Sequence, residues 1–207
     1  MNKLDSRPIN DNLPIGATEL NPDDLAGLIP DYISTRGALN EFEKTNITNA
    51  ISWLRKKKFK YQHILTMAFF FELHTKMFNK TWEWAGTLRR RAVNIGNTPT
   101  EQIQMRVKNV LDNALYRIEY QAYAIDEICI RLHHECVWIH PFPNGNGRFS
   151  RVICDELRRS LGGTYFKWGN SSSDLITANQ NRANYIAALR AADNKDYELL
   201  ITFANAV

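Results

Sequence analysis

His140-Pro141-Phe142-Pro143-Asn144-Gly145-Asn146-Gly147-Arg148-Phe149-Ser150-Arg151 is the stretch from which the rest of the chain can be read. An apolar helical pattern runs into it through Ile128, Leu132, Cys136 and Ile139. Two prolines then stop the helix and stiffen the turn. The two glycines that follow permit positive φ and close backbone approach. A new helix begins at about Arg148. Glycine-rich backbone feeding a helix N-terminus points several N–H groups at one spot, where the dipole adds partial positive charge; this is an anion site suited to phosphates. Arg148 and Arg151 lie three apart in the first turn, on roughly one face. Cations there oppose the dipole at a cost of up to ~1 kcal/mol each, which a bound polyphosphate would offset through charge-assisted bidentate contacts. His140, just before the loop, titrates near neutrality in its ordinary state and can take a proton from an attacking hydroxyl.

Outward from this loop the pattern is helical. Leu39, Phe42, Ile47, Ala50, Ile51 and Leu54 recur at helical spacing and run into the basic stretch Arg55 to Lys58. Residues Ile64 to Phe78 are apolar on nearly every side and predict one central buried helix. Helical pattern resumes at Ile103, Val107, Val110 and Leu111. The helix from Arg148 stops near Gly162-Gly163, and two more follow, roughly 179–192 and 196–205. Gly86 to Thr98 lacks that period and ends in turn residues, which predicts an extended flap or small hairpin. Residues 1–34 read as an irregular, Asn-, Asp- and Pro-rich leader. The fold class is all-α with one short extended element.

Composition narrows the function classes. Residues 1–45 hold four Lys/Arg against eight Asp/Glu, while the whole 207-residue chain has net charge +4, so an acidic arm precedes a basic body. A basic body suits a polyanionic ligand. The chain lacks a zinc-finger pattern, an RNP-like aromatic string and a convincing helix-turn-helix, which argues against a nucleic-acid partner. No apolar run approaches the ~20 residues of a membrane span, and the polar N-terminus lacks a secretory apolar stretch, so a cytoplasmic location is expected. Cys129, Cys136 and Cys154 show no CxxC spacing and read as buried thiols in a reducing compartment. His133 and His134 have no metal-spaced partners, and one of them is expected to pack beneath the loop. Trp82, Trp84, Trp138 and Trp168 are expected to fill the core or wedge helix ends.

The dodecapeptide resembles the Fic/Doc signature HPF-x-Asp/Glu-GNGR-x-x-Arg. Trp84-Ala85-Gly86-x-x-Arg89 resembles the segment before that family's flap, and Arg182-x-x-Tyr185 with Ala188-Leu189 and Ala192-Asp193 resembles its closing helices, so the likeness spans about residues 60–205. Thr35–Ile47, Asn94-Ile95-Gly96 and Ala188–Asp193 further resemble a bacterial subgroup called mobile mystery protein B. The resemblance implies a Fic-type helical bundle with a short β-hairpin flap, residues 59–207, preceded by an N-terminal arm, residues 1–58. It implies an adenylyltransferase that moves AMP from ATP, with Mg²⁺, onto a Tyr, Thr or Ser hydroxyl of a protein target or of the chain itself. His140 would be the general base. Asn144, Gly145, Asn146, Gly147 and Arg148 would hold the α- and β-phosphates, Arg151 the γ-phosphate, and Asp193 the base or ribose. Arg91, Val93 and Asn94 on the flap would bind the target by strand addition. A toxin-like role, with an antitoxin or self-association as partner, belongs to the same likeness.

Two departures matter. The family's metal-binding carboxylate is Asn144 here. An amide oxygen ligates Mg²⁺ without formal charge, so the ion would lean on the phosphates. This opens an alternative: a nucleotide-binding Fic module with weak or no catalysis. The family's inhibitory Ser/Thr-x-x-x-Glu-Gly/Asn string is also absent. Glu41, with Glu43 as second choice, is the candidate inhibitory carboxylate expected to meet Arg151.

Overall fold

The computed structural model describes residues 17–93, 95, 98–169, 175 and 179–206. Its helices are α1 (Pro22–Ala26), α2 (Arg36–Lys56), α3 (Tyr61–Ile64), α4 (Met67–Phe78), α5 (Ile103–Glu119), α6 (Ile125–Ile139), α7 (Asn146–Ser160), α8 (Gln180–Asp193) and α9 (Glu198–Asn205), with a 3₁₀ turn at Thr100–Gln102. The all-α expectation holds.

The antiparallel α6–α7 hairpin is the centre. α5 and α9 pack on α6, α3 and α4 on α7, and α2 on α4. Phe69, Phe70, Leu73, Met77 and Phe78 of α4 are fully buried, as a helix apolar on most sides requires. α2 shares this core through Leu39, Ala50 and Leu54. Trp82 and Trp168 are core residues, whereas Trp138 is 41% exposed, against expectation, because α6 turns that face outward one residue before its end. The three cysteines are free and buried.

The stretch expected as one helix from Ile64 is two. Thr66 adopts extended backbone and its hydroxyl accepts from the Phe69 amide, capping α4 and separating it from α3. The leader is less irregular than its composition suggests: Asn21 caps the single turn α1, with Pro22 at its first position. Among the described residues the flap forms no hairpin. The Arg89 amide donates instead to the Pro141 carbonyl at 2.9 Å, so this backbone pairs with the motif loop rather than with itself. The β-type pairing found among the described residues is an isolated antiparallel bridge between Leu28 and Trp82. No described helix is long and apolar enough to cross a membrane.

Candidate functional site

α6 ends on His140, which takes the left-handed conformation (φ 52°, ψ 61°) while its amide still donates to the Cys136 carbonyl. That geometry is strained for a non-glycine residue and turns the ring back over the helix end. His140 Nδ1 lies 3.3 Å from the Val137 carbonyl, and Nε2 lies 2.9 Å from the Thr18 hydroxyl. A carbonyl can only accept, so Nδ1 carries the proton and Nε2 presents its lone pair. Burial lowers the imidazole pKa to about 4; the Val137 carbonyl opposes the shift and the Arg89 charge adds to it. The ring is therefore neutral at physiological pH, an acceptor facing a hydroxyl at the distance of a nucleophile–base pair.

Arg89 fixes this corner. Its guanidinium donates to the carbonyls of His140 (2.6 Å), Thr98 (2.6 Å) and Arg91 (2.8 Å). One side chain thus ties Arg89 and Thr98 to the turn at His140.

The loop after His140 is held from inside. Phe142 is fully buried, stacked on His74 (3.6 Å between centroids) and on Phe70 (5.5 Å), with Phe149 edge-on at 5.1 Å. The Asn146 amide donates to the Phe142 carbonyl (2.8 Å) and accepts from the Phe142 amide (2.9 Å). Its side chain closes the loop, so a contribution to phosphate is left to its backbone. Gly145 has φ 81°, and a Cβ there would lie 2.5 Å from the Phe78 ring. At Gly147 a Cβ would meet nothing nearer than an Arg151 nitrogen at 3.7 Å, which leaves open space above the first turn of α7. α7 has no side-chain cap, so its first amides are available to an anion.

His74, not His133 or His134, packs beneath the loop. Its Nδ1 accepts from the Gly86 amide at 2.9 Å, and Nε2 lies 3.3 Å from the Asn144 carbonyl. Burial lowers its pKa to about 3. His133 instead meets the Tyr185 hydroxyl (3.0 Å), and His134 meets Asp193 (2.8 Å). Asp193 borders a cavity of about 380 Å³ that also touches His134, Trp138, Lys195 and Ile139, the residue before His140.

The charges around α7 are lopsided. Arg148 pairs with Glu43 at 2.6 Å, and Glu43, 2% exposed, also accepts from the Trp82 indole at 2.7 Å. Glu43 thus meets the first motif arginine rather than Arg151, and Glu41 is exposed and pairs with Lys44. Arg151 is buried, donates to the Tyr185 hydroxyl, and is lowered in pKa first by desolvation. Arg36 and Arg182 are lowered the same way, with repulsion from Arg148 and Arg182 on Arg36 and from Arg151 on Arg182. Arg36 Nη1 is buried without a hydrogen-bond partner.

Motif reading gave Arg36 no role and took Arg182 only as part of the closing-helix likeness, yet a signal for both existed. α2, α7 and α8 each carry an arginine in the first turn and no acidic residue there, the reverse of dipole preference. Three unfavourable placements that converge form a cation cluster built for a polyanion.

Asn144 does not fit a Mg²⁺ site. Its Oδ1 already accepts from the Gly145 amide (2.6 Å) and faces Arg148 (3.4 Å). Its buried Nδ2 has no partner, so what it offers is a donor, which suits a phosphate oxygen and not a cation. Among the described residues no cluster of three or more His, Cys, Asp or Glu side chains could hold a metal. Of the flap residues, Arg91 is held by Asp23 and Asp24, each at 2.7 Å, Val93 is half-buried, and Asn94 lies outside the described residues.

The helical domain sets a neutral imidazole beside a cationic helix N-terminus whose first amides lack a side-chain cap. Residues 64–157 match the Fic/DOC family. Solved structures share the fold. Fic-1 from C. elegans has a TM-score of 0.64 at 20% identity over 77% of this chain and 46% of its own length. BepC from Bartonella tribocorum, with bound AMPPNP, has a TM-score of 0.64 at 18% identity over 93% of each chain. An N-terminal Fic domain from Bartonella quintana, with bound ADP, has a TM-score of 0.61 at 20% identity over 84% and 86%. The chain spans about half the length of the first of these and most of the other two.

Proposed function

We propose that the chain transfers a nucleoside monophosphate, AMP from ATP as the leading case, onto a Ser, Thr or Tyr hydroxyl of a protein. The observation that carries this reading is the His140 imidazole: Nδ1 is anchored on Val137, and Nε2 holds a hydroxyl at 2.9 Å beside the N-terminus of α7. The hydroxyl proton passes to Nε2 as its oxygen attacks the α-phosphorus. Pyrophosphate leaves towards Arg148 and Arg151, with Arg36 and Arg182 behind them. A base of pKa about 4 is weak by itself. A triphosphate beside it favours imidazolium and raises that pKa when base strength is needed. Backbone at Gly145 and Gly147, the Asn144 amide donor and the first amides of α7 cradle the phosphates, and Asp193 with its cavity is assigned to base or ribose. The nucleotide-bound relatives support a triphosphate ligand. Among the described residues Asn144 offers a cation no free oxygen, so the charge of the leaving pyrophosphate is met by the arginines.

Asn144 favours a second reading, a nucleotide-holding domain without transfer. Incubation with each of four triphosphates, followed by intact-mass measurement of wild type and His140→Ala, decides between them. A gain of one nucleotide monophosphate on wild type and none on the variant is expected for the enzyme; no gain on either, with triphosphate bound, selects the holding domain.

A further inference from the structure

Thr18 lies 122 residues from His140 in sequence, yet its hydroxyl sits on the base nitrogen. It is only 8% exposed. A docked strap brings it there. Leu20, two residues on, is buried in the core, and Asn21 caps α1. α1 is then fastened: Asp23 and Asp24 bridge to Arg91, the Trp84 indole donates to the Asp24 carbonyl (3.0 Å), and the Ile29 amide donates to the Thr81 carbonyl (2.9 Å). Nε2 of His140 is a lone-pair acceptor, so the Thr18 O–H must be the donor. This is the arrangement of an acceptor hydroxyl with its base, a separation of 2.6–3.2 Å being the productive range.

We propose that Thr18 is a nucleotidylation site of this chain, modified in cis by its own His140. The proposal rests on the transfer reading above and names its acceptor. The Thr18 O–H bond breaks, with the proton going to Nε2; a bond forms between Thr18 Oγ and the α-phosphorus of a nucleoside triphosphate. The α-phosphorus to β-phosphate oxygen bond breaks, and pyrophosphate leaves with that electron pair. The product is a phosphodiester whose negative charge stays beside the first turn of α7 and Arg148. That attraction holds the modified residue in the site, so the reaction stops at one nucleotide per chain.

The test uses the full chain with Mg²⁺ and each triphosphate, read by peptide mass spectrometry and pyrophosphate release. The expected result is a single nucleotide monophosphate localised to Thr18, at a fractional rate that does not change across a dilution series. Thr18→Ser keeps the label, Thr18→Val lowers it roughly 100-fold or more, and His140→Ala abolishes it. Running the same series in Glu43→Gln ensures that an occupied Arg148 does not hide the reaction. Label confined to other residues, equal label on Thr18→Val, or pyrophosphate release without label overturns the proposal and leaves His140 as a transfer base. No label on the chain under any triphosphate also overturns the Thr18 proposal, and His140-dependent label on proteins of an added cell extract then keeps the transfer reading, whereas its absence removes that reading too.

Discussion

The two ends of α7 carry two arginines each and use them in opposite ways. At the C-terminal end Arg158 grips Asp126 through two 2.8 Å bonds and lies over the Phe166 ring, while Arg159 pairs with Glu156 and donates to the Lys57 carbonyl at 2.8 Å. These cations also complement the dipole. At the N-terminal end Arg148 and Arg151 oppose the dipole and are joined by Arg36 and Arg182, with Glu43 paired to Arg148. The same residue type serves stability at one end and costs it at the other. A surplus of buried positive charge is tolerable where an anionic ligand completes it.

Acid breaks the comparison hardest. His74, His133 and His140, all at the N-terminal end, are buried with pKa values of about 3, 3 and 4. The unfolded chain binds their protons from about pH 6.5 downwards and the folded chain does not. Each therefore removes about 1.4 kcal/mol of stability per pH unit as pH falls from 6.5 to its folded value. Asp155, raised to about 7 chiefly by burial, acts oppositely between its unfolded and folded values and offsets about one of the three. Thermal melts across pH 7 to 4.5 are expected to fall steeply, with segment 140–151 first to exchange amide hydrogens.

Arg151→Met is expected to leave the melting temperature unchanged or raised, because it removes a desolvated cation, while weakening triphosphate binding roughly 100-fold. Calorimetric titration with a non-hydrolysable triphosphate measures it. Arg158→Met, the matched change at the other end, is expected to cost about 1–3 kcal/mol in urea unfolding and leave that affinity alone. Loss of affinity in both variants would erase the distinction between the ends. Glu43→Gln keeps a hydrogen-bonding partner for Trp82 but frees Arg148 from an ion pair; triphosphate affinity is expected to rise about 5- to 10-fold at a cost of about 1 kcal/mol in stability. Gly147→Ala has the smallest effect on the fold, a gain of up to about 1 kcal/mol, because helical backbone there has room for a methyl group.

What could be read in the sequence was local. The loop, the end of α6, the start of α7 to within two residues and the buried character of α4 follow from prolines, glycines and apolar spacing. The split at Thr66 was missed because a capping hydroxyl inside an apolar run leaves no gap in the periodicity. Of the extended flap or small hairpin expected at Gly86 to Thr98, the described residues show no strand pairing; the Arg89 amide donates to Pro141 and its guanidinium to His140 and Thr98, contacts that no local pattern encodes. Asn146, expected in the loop, opens α7 and turns its amide inward, while Asn144 in the loop offers a donor where an acceptor was expected. Thr18, Glu43 and His74 reach the site across long stretches of chain, so only the packed structure brings them together.

The strap that seats Thr18 is fastened at Arg91 by Asp23, which is 86% solvent-exposed. An ion pair so open to water weakens as counterions crowd it, over a screening length of about 10 Å at 0.1 M salt. Concentrated electrolyte is therefore expected to weaken the Asp23 contact first, while the shielded Asp24 contact to the same guanidinium persists and keeps Thr18 near the imidazole.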